Sequence, residues 1–69
     1  MNPKHFSDTL VLLGLSQVGA ARFLGVDTRT VRKWMHAERS VPEPVARFLL
    51  FLVASNVTPD EVTAQLEKS

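Results

Sequence analysis

Cysteine is absent from this 69-residue sequence. Disulfide bonds, cysteine-ligated zinc and thiol catalysis are therefore excluded. The absence fits a reducing compartment, and we expect a cytoplasmic protein. Long apolar runs are absent as well, because Arg47 interrupts the longest one, at 45–54. Since a spanning helix needs roughly 18 consecutive apolar residues, we expect no membrane segment.

Catalytic and ligand-binding signatures are also missing. The three glycines, Gly14, Gly19 and Gly25, are too widely separated to form a nucleotide-binding loop. The seven acidic residues are scattered, and no nucleophile is paired with a base. His5 and His36 have no carboxylate or second histidine at metal-ligand spacing. We therefore expect a protein that is not an enzyme and holds no metal or cofactor.

The net charge is small, +1, but its distribution is uneven. Residues 22–39 carry five cations against two acids, a net charge of +3, whereas residues 1–21 are neutral and residues 40–69 carry −2. A basic centre between neutral and acidic ends suits a small nucleic-acid-binding protein. The modest total does not by itself indicate DNA.

The stretch 17–34, QVGAARFLGVDTRTVRKW, predicts two short helices joined by a tight turn. Ala20, Ala21 and Leu24 fall on one face of the first helix, as expected for a packed surface. Gly25 follows at once, and glycine adopts the left-handed conformation that ends a helix without steric strain. The chain is therefore expected to change direction at Gly25.

A second helix is predicted to begin after Asp27, whose carboxylate can accept hydrogen bonds from amides of the first turn. Val31 and Trp34, three positions apart, give this helix a buried face. The opposite face carries three cations, a hydroxyl and an imidazole, from Thr28, Arg29, Arg32, Lys33 and His36. Such a face could hydrogen-bond base edges and phosphates, although a solvated charged face is the alternative.

These features resemble the Cro/phage-repressor-like (XRE-type) helix-turn-helix DNA-binding family. Counted from Gln17, that family has alanine fifth, glycine ninth, an aliphatic residue fifteenth and an aromatic or aliphatic residue eighteenth. This chain supplies Ala21, Gly25, Val31 and Trp34 at those positions. The resemblance rests on residue types at fixed spacing, which makes it specific.

The resemblance covers about residues 4–53, and the stretch 38–52 is similar to the turn and fourth helix of small prophage-type regulators and of antitoxins. It implies an all-α fold, a compact bundle of about five helices. The helix-turn-helix would occupy 17–36 within a single lambda-repressor-like DNA-binding domain, 1–69.

The resemblance also implies where DNA is contacted. The family inserts the amino end of the second motif helix into the major groove, so base contacts are expected from Thr28, Arg29, Arg32 and Lys33. Phosphate contacts are expected from the first motif helix, the end of the second and the loop that follows, at Gln17, Arg22, His36, Arg39 and Ser40. Arginine suits the two acceptors of guanine, which implies a preference for G·C pairs. Which arginine reads a base is open.

The flanking sequence predicts a first helix that is capped by Asn2 and ends near residue 13. Phe6 and Leu10 are expected to face inward, one turn apart. Val11 and Leu12 widen the apolar surface, so we expect this helix to pack on more than one side.

Further helices are predicted at 44–54 and, after a capping Thr58, at 59–68. The helix at 44–54 is apolar on nearly every face. It has more apolar side chains, Leu49 among them, than the core of a monomer needs. Both helices are expected to complete the core and to form a homodimer seam, contributed by Leu50, Phe51, Val53, Val62 and Leu66. The alternative is that the last helix only closes its own subunit.

Three functions are compatible with the sequence. The first is sequence-specific binding of double-stranded DNA by a transcriptional repressor that occupies a short palindromic operator. The second is an antitoxin-type protein that binds a toxin partner through helix 44–54 and regulates its own operon. The third is a degenerate fold used only for assembly, in which the cations at 28–36 have no role.

Overall fold

Five α-helices joined by short loops form residues 1–68, the part of the chain that the computed structural model describes. Their bounds are α1 (Pro3–Leu12), α2 (Gln17–Leu24), α3 (Thr28–Met35), α4 (Glu43–Ala54) and α5 (Pro59–Glu67). No strand occurs within these residues. The radius of gyration, 11.5 Å, is close to the roughly 11 Å of a compact domain of this length. The prediction of an all-α bundle of about five helices is confirmed.

Four helices begin where a side chain caps the first turn. The first amide N–H groups of a helix have no intrahelical partners, and a capping oxygen accepts from one of them. The capping bonds run from His5 N to Asn2 Oδ1 (2.7 Å), Gly19 N to Ser16 Oγ (3.0 Å), Arg29 N to Asp27 Oδ1 (2.9 Å) and Glu61 N to Thr58 Oγ1 (3.1 Å). The predicted caps at Asn2, Asp27 and Thr58 are therefore confirmed.

Four helices are followed, within one or two residues, by a residue with a left-handed backbone. Gly14 and Gly25 each have a φ of 72°, Ala37 has 60° and Asn56 has 55°. The next amide N–H then donates to the carbonyl oxygen five residues earlier, which gives that terminal carbonyl a partner. These bonds, at 2.9 or 3.0 Å, run from Leu15 to Leu10, Val26 to Ala21, Glu38 to Lys33 and Val57 to Leu52. Ala37 stands out, because the left-handed conformation costs a residue with a Cβ about 1–2 kcal/mol.

The core is centred on α3, which packs against α1 and α2, and α4 also packs against α1. The rings of Phe6 and Trp34 meet edge to face, with centroids 5.8 Å apart and planes at 89°. The buried apolar residues come from these four helices and the loop before α4: Phe6, Leu10, Ala20, Ala21, Val31, Trp34, Val41, Ala46, Leu49 and Leu52. The orientation of α3 is therefore fixed by packing on two sides.

Two expectations about apolar side chains are wrong. Val11 and Leu12 are 75% and 71% exposed, so within residues 1–68 these two side chains do not add a second packed face to α1. Both side chains point away from the helix face that carries Phe6 and Leu10, and no element covers them. Leu49 belongs to the core instead of the surplus of α4, because it lies on the inward face of that helix.

α5 is the most lightly attached helix. Within its bounds Pro59 alone is buried, Val62 is half-buried and Leu66 is 67% exposed. Most of its apolar stripe therefore faces solvent. None of the helices in residues 1–68 has the length and apolar character needed to cross a membrane.

Candidate nucleic-acid interface

α2 and α3 are joined by a turn of three residues. Gly25 adopts the left-handed conformation, and the Val26 N–H donates to the Ala21 carbonyl oxygen, 3.0 Å away. Asp27 then starts α3 by accepting from the Arg29 N–H at 2.9 Å. Contiguous residues therefore determine both where α2 ends and where α3 begins.

α3 is anchored to the core through Val31 and Trp34, which are both buried. Successive residues of an α-helix are about 100° apart around its axis, so the face of α3 opposite Val31 and Trp34 is turned to solvent. The exposed side chains of that face are Arg29, Arg32, Lys33 and His36. Thr28 is half-buried at the start of the helix and borders the same surface. The predicted base-contacting residues therefore share one surface.

The cations of this region form no ion pair within residues 1–68. The ion pairs within residues 1–68 join Lys4 to Asp8 at 2.8 Å and Arg47 to Glu43 at 3.3 Å, on α1 and α4. Within residues 1–68 no ion pair or hydrogen bond is made by the charged side-chain groups of Arg22, Arg29, Arg32, Lys33 or Arg39. All five are exposed, so their donors are available to an anionic partner.

The positive charges on α3 also repel one another. Arg29 lies three residues before Arg32 and four before Lys33, and like charges at these spacings destabilise a helix by about 0.2–0.5 kcal/mol per pair. Arg29 occupies the first turn, where the helix dipole favours an acidic residue and none is present. The arrangement lowers the stability of α3, and an anion bound across the surface would offset that loss.

The predicted phosphate contacts come from α2, the end of α3 and the loop after it. Gln17 is the first residue of α2, and the amide N–H groups of Gln17 and Val18 have no acceptor within residues 1–68. Free amides at the start of a helix form a site for anions. The other predicted residues, all exposed, are Arg22, His36, Arg39 and Ser40.

The predicted dimer residues come from two helices, Leu50, Phe51 and Val53 from α4 and Val62 and Leu66 from α5. Phe51 and Leu66 are 63% and 67% exposed, and Leu50 is also exposed. Val53 and Val62 are half-buried. These side chains are therefore available to a partner, to different extents.

Val11 and Leu12 of α1 are exposed apolar side chains as well, whereas the sequence analysis expected them to be packed. Leu12 and Val53 line the same groove, of about 200 Å³, between α1, α4 and the start of α5. The signal was present in the sequence, because both residues fall outside the helical stripe of Phe6 and Leu10. Helical periodicity therefore predicts that both side chains are exposed, unless another element covers the face of α1 that carries them.

The polar end of Trp34 was not anticipated from the sequence either. The side chain is buried as predicted, but its indole N–H has no acceptor within residues 1–68. The same residues contain no group of three or more histidine, aspartate or glutamate side chains that could hold a metal ion.

No protein-family model, curated protein or solved structure matches this chain. Residues 1–68 form an all-α fold of five helices, in which the exposed cations of α3 make no ion pair. The resemblance to the Cro/phage-repressor-like family stays a prediction from the sequence.

Proposed function

We propose that this protein binds double-stranded DNA sequence-specifically, as a transcriptional repressor of the Cro/phage-repressor-like helix-turn-helix class. One observation carries the proposal. The exposed face of α3 presents three cations that form no ion pair within residues 1–68, on a helix whose other face is anchored by Val31 and Trp34. Base recognition needs donors held rigidly on an element that fits the major groove, and an α-helix with this face meets that need.

In this proposal the amino end of α3 enters the major groove. Base edges are contacted by Thr28, Arg29, Arg32 and Lys33. Arginine can donate to both O6 and N7 of guanine, so we expect G·C pairs in the preferred sequence. Phosphate contacts fix the register of the helix on the duplex, through Gln17, Arg22, His36, Arg39 and Ser40.

The proposal includes a homodimer, because a two-fold protein matches a two-fold operator. The supporting observation is the exposure of apolar side chains on α4 and α5, Phe51 and Leu66 above all. The proposed seam consists of Leu50, Phe51, Val53, Val62 and Leu66. Occupation of a promoter by such a dimer would block transcription. A cytoplasmic location is part of the proposal, and the lack of cysteine favours it.

Single substitutions distinguish base contacts from phosphate contacts. We expect Arg32→Ala to weaken binding to the preferred duplex by about 1–3 kcal/mol and to relax the preference at one base position. Arg39→Ala should weaken binding to all duplexes alike and should lower the slope of log affinity against log salt by about one. Both effects are measured by fluorescence anisotropy at several stated salt concentrations.

Arg47→Ala is the matched control, because Arg47 pairs with Glu43 on α4 and belongs to neither set. It should leave affinity and base preference close to those of the unaltered protein. The proposal is contradicted if the Arg47 variant loses as much affinity as the Arg32 variant. It is equally contradicted if no duplex is bound at all.

A second candidate function is binding of a toxin by an antitoxin-type protein, with DNA binding serving autoregulation. The exposed Phe51 and Leu66 favour it, since a partner protein could cover the same apolar surface. Purified product of a neighbouring toxin-like reading frame provides the test. A defined complex that Phe51→Asp abolishes, from a chain that is monomeric alone, would favour this function over the homodimer.

A further inference from the structure

Most of α5 lies outside the packed part of the domain. Pro59 is buried and Val62 is half-buried, whereas all the other residues of α5 are exposed. The closely packed helix pairs are α2 with α3, α1 with α3 and α1 with α4, and α5 belongs to none of them. The ion pairs of residues 1–68 lie within α1 and α4, so they do not hold α5 in place. α5 is therefore attached mainly through its first turn.

Open grooves flank α5 on both sides. One, of about 440 Å³, lies between α2 and α5, and its lining includes Phe23 and Leu66. The other, of about 430 Å³, is lined by α5 and by Val57, and Val62 and Leu66 contribute to it. The apolar stripe formed by Val62 and Leu66 therefore has open space beside it in two directions.

The core does not depend on α5. Its buried apolar residues come from α1 to α4 and the loop before α4, and the partly buried residues packed against them all precede α5 as well. Opening of α5 would therefore leave these residues in contact with one another. Proteins commonly open in such cooperative units, and the units with few buried apolar contacts open most readily.

α5 is also too short to be a stable helix on its own. It has nine residues, and isolated helices shorter than about 12–15 residues are only marginally stable in water. Its helical conformation therefore depends on docking. In the docked conformation Leu66 is still 67% exposed, so docking alone buries little of this side chain. A partner that covers Leu66 would supply the missing apolar burial.

We propose that α5 is open and unfolded in most monomers, and that it closes when a second copy of this chain covers Val62 and Leu66. The inference rests on the proposed function in one respect: the second copy is the one across the proposed seam. α4 supplies the fixed part of that seam, because Leu49 and Leu52 are buried while Phe51 is exposed. Since the dimer requires closed α5, its apparent affinity is lowered by the fraction of monomers in which α5 is closed. Dimer formation, and operator binding with it, then depends on the stability of α5.

Hydrogen exchange of the full chain, followed by mass spectrometry, measures the opening of each helix. In a dilute sample that sedimentation shows to be monomeric, the amides of α5 should exchange within about tenfold of the rate of an unstructured peptide. The amides of α4 should exchange at least about a hundredfold more slowly than those of α5. As the protein concentration is raised, the protection of α5 should increase with the fraction of dimer.

Leu66→Asp should keep α5 open at every concentration at which the unaltered protein dimerises. α4 should retain the protection that it has in the dilute unaltered protein, which shows that the variant is folded. Ala64→Asp is the matched control, because it adds the same charge to α5 about 160° around the helix from Val62 and Leu66. It should weaken the dimer several-fold at most. An Ala64→Asp variant as defective as Leu66→Asp would overturn the closing of α5 through Val62 and Leu66.

Thr63→Ala tests the coupling between closure and dimer formation. Thr63 is exposed and lies outside the proposed seam, and alanine is the stronger helix former. The substitution raises the closed fraction of monomers, so the dissociation constant of the dimer should fall several-fold. Ser7→Ala, the equivalent change in α1, should leave it unchanged, because α1 belongs to the core. An unchanged dissociation constant for Thr63→Ala would overturn the proposal, since α5 would then be closed in the monomer already.

The remaining outcomes separate this inference from the proposed function. Protection of α5 that does not vary with concentration, in samples that form dimers and bind a palindromic duplex in a mobility-shift experiment, overturns the inference and leaves DNA binding intact. A chain that stays monomeric at every concentration overturns it as well. Protection of α5 that rises with the fraction of dimer supports the inference, and absence of duplex binding in the same samples would count against DNA binding alone.

Discussion

Replacing Arg29 by glutamate should stabilise the protein and abolish its binding to DNA. The change removes two like-charge contacts, with Arg32 and Lys33, and replaces them with two attractive ones, each worth about 0.2–0.5 kcal/mol. It also puts an acid in the first turn of α3, which the helix dipole favours by about 0.3–1 kcal/mol. The neighbouring Asp27 carboxylate opposes part of this gain, so we expect a net gain of about 1 kcal/mol.

For a domain of this size, a gain of about 1 kcal/mol raises the melting temperature by about 4–8 °C. Thermal denaturation followed by circular dichroism measures it, and high salt should reduce the difference because the charges on α3 are exposed. Binding to DNA should fall by at least about tenfold, since the loss of one base contact alone is worth about 1–3 kcal/mol.

Two controls accompany the Arg29→Glu variant. Arg29→Gln removes the cation without adding an acid, so the melting temperature of this variant should lie between those of the unaltered protein and the Arg29→Glu variant. Lys68→Glu makes the same change in net charge at the end of α5, and it should leave DNA affinity nearly unchanged. A lower melting temperature for Arg29→Glu would refute the account of charge repulsion in α3. Undiminished DNA binding would refute the assignment of α3 as the interface.

Four further substitutions test the fold and the seam. Ala37→Gly should raise the free energy of unfolding by about 1 kcal/mol in a denaturant titration, because glycine tolerates the φ of 60°; a decrease would contradict the strain assigned to this residue. Leu49→Ala should lower the free energy of unfolding by about 2–5 kcal/mol, because Leu49 is fully buried. Leu12→Ala should lower it far less, because Leu12 is exposed. Equal decreases for the two variants would contradict the burial described. Phe51→Asp should yield a helical monomer, seen by light scattering with circular dichroism, and a persistent dimer would count against the proposed seam.

The helix boundaries were predictable because they depend on contiguous residues. Asn2, Asp27 and Thr58 each cap an amide two or three positions ahead, and Gly25 meets a local need for positive φ. The buried pair of α3 was also predictable, since helical periodicity alone separates it from the charged face. Local chemistry therefore accounts for the elements and for the surface that α3 exposes.

Other features depend on contacts that sequence patterns do not contain. Val11 and Leu12 stay exposed because no element of residues 1–68 covers these two side chains, and helical periodicity cannot predict whether an element will do so. Alanine carries no local signal for a left-handed backbone, so the conformation of Ala37 was missed. The unpaired Trp34 N–H depends on where the carbonyl groups of the surrounding chain lie. The assignments of base and phosphate contacts stay predictions.

DNA recognition by α3 is tested most directly by selection of bound duplexes from a random pool at near-physiological salt. We predict enrichment of a two-fold sequence with G·C pairs in each half-site and half-sites about one helical turn apart. The same selection with Arg29→Glu should enrich nothing. Failure of the unaltered protein to enrich any sequence, or an identical motif from the Arg29→Glu variant, would contradict sequence-specific DNA binding through α3.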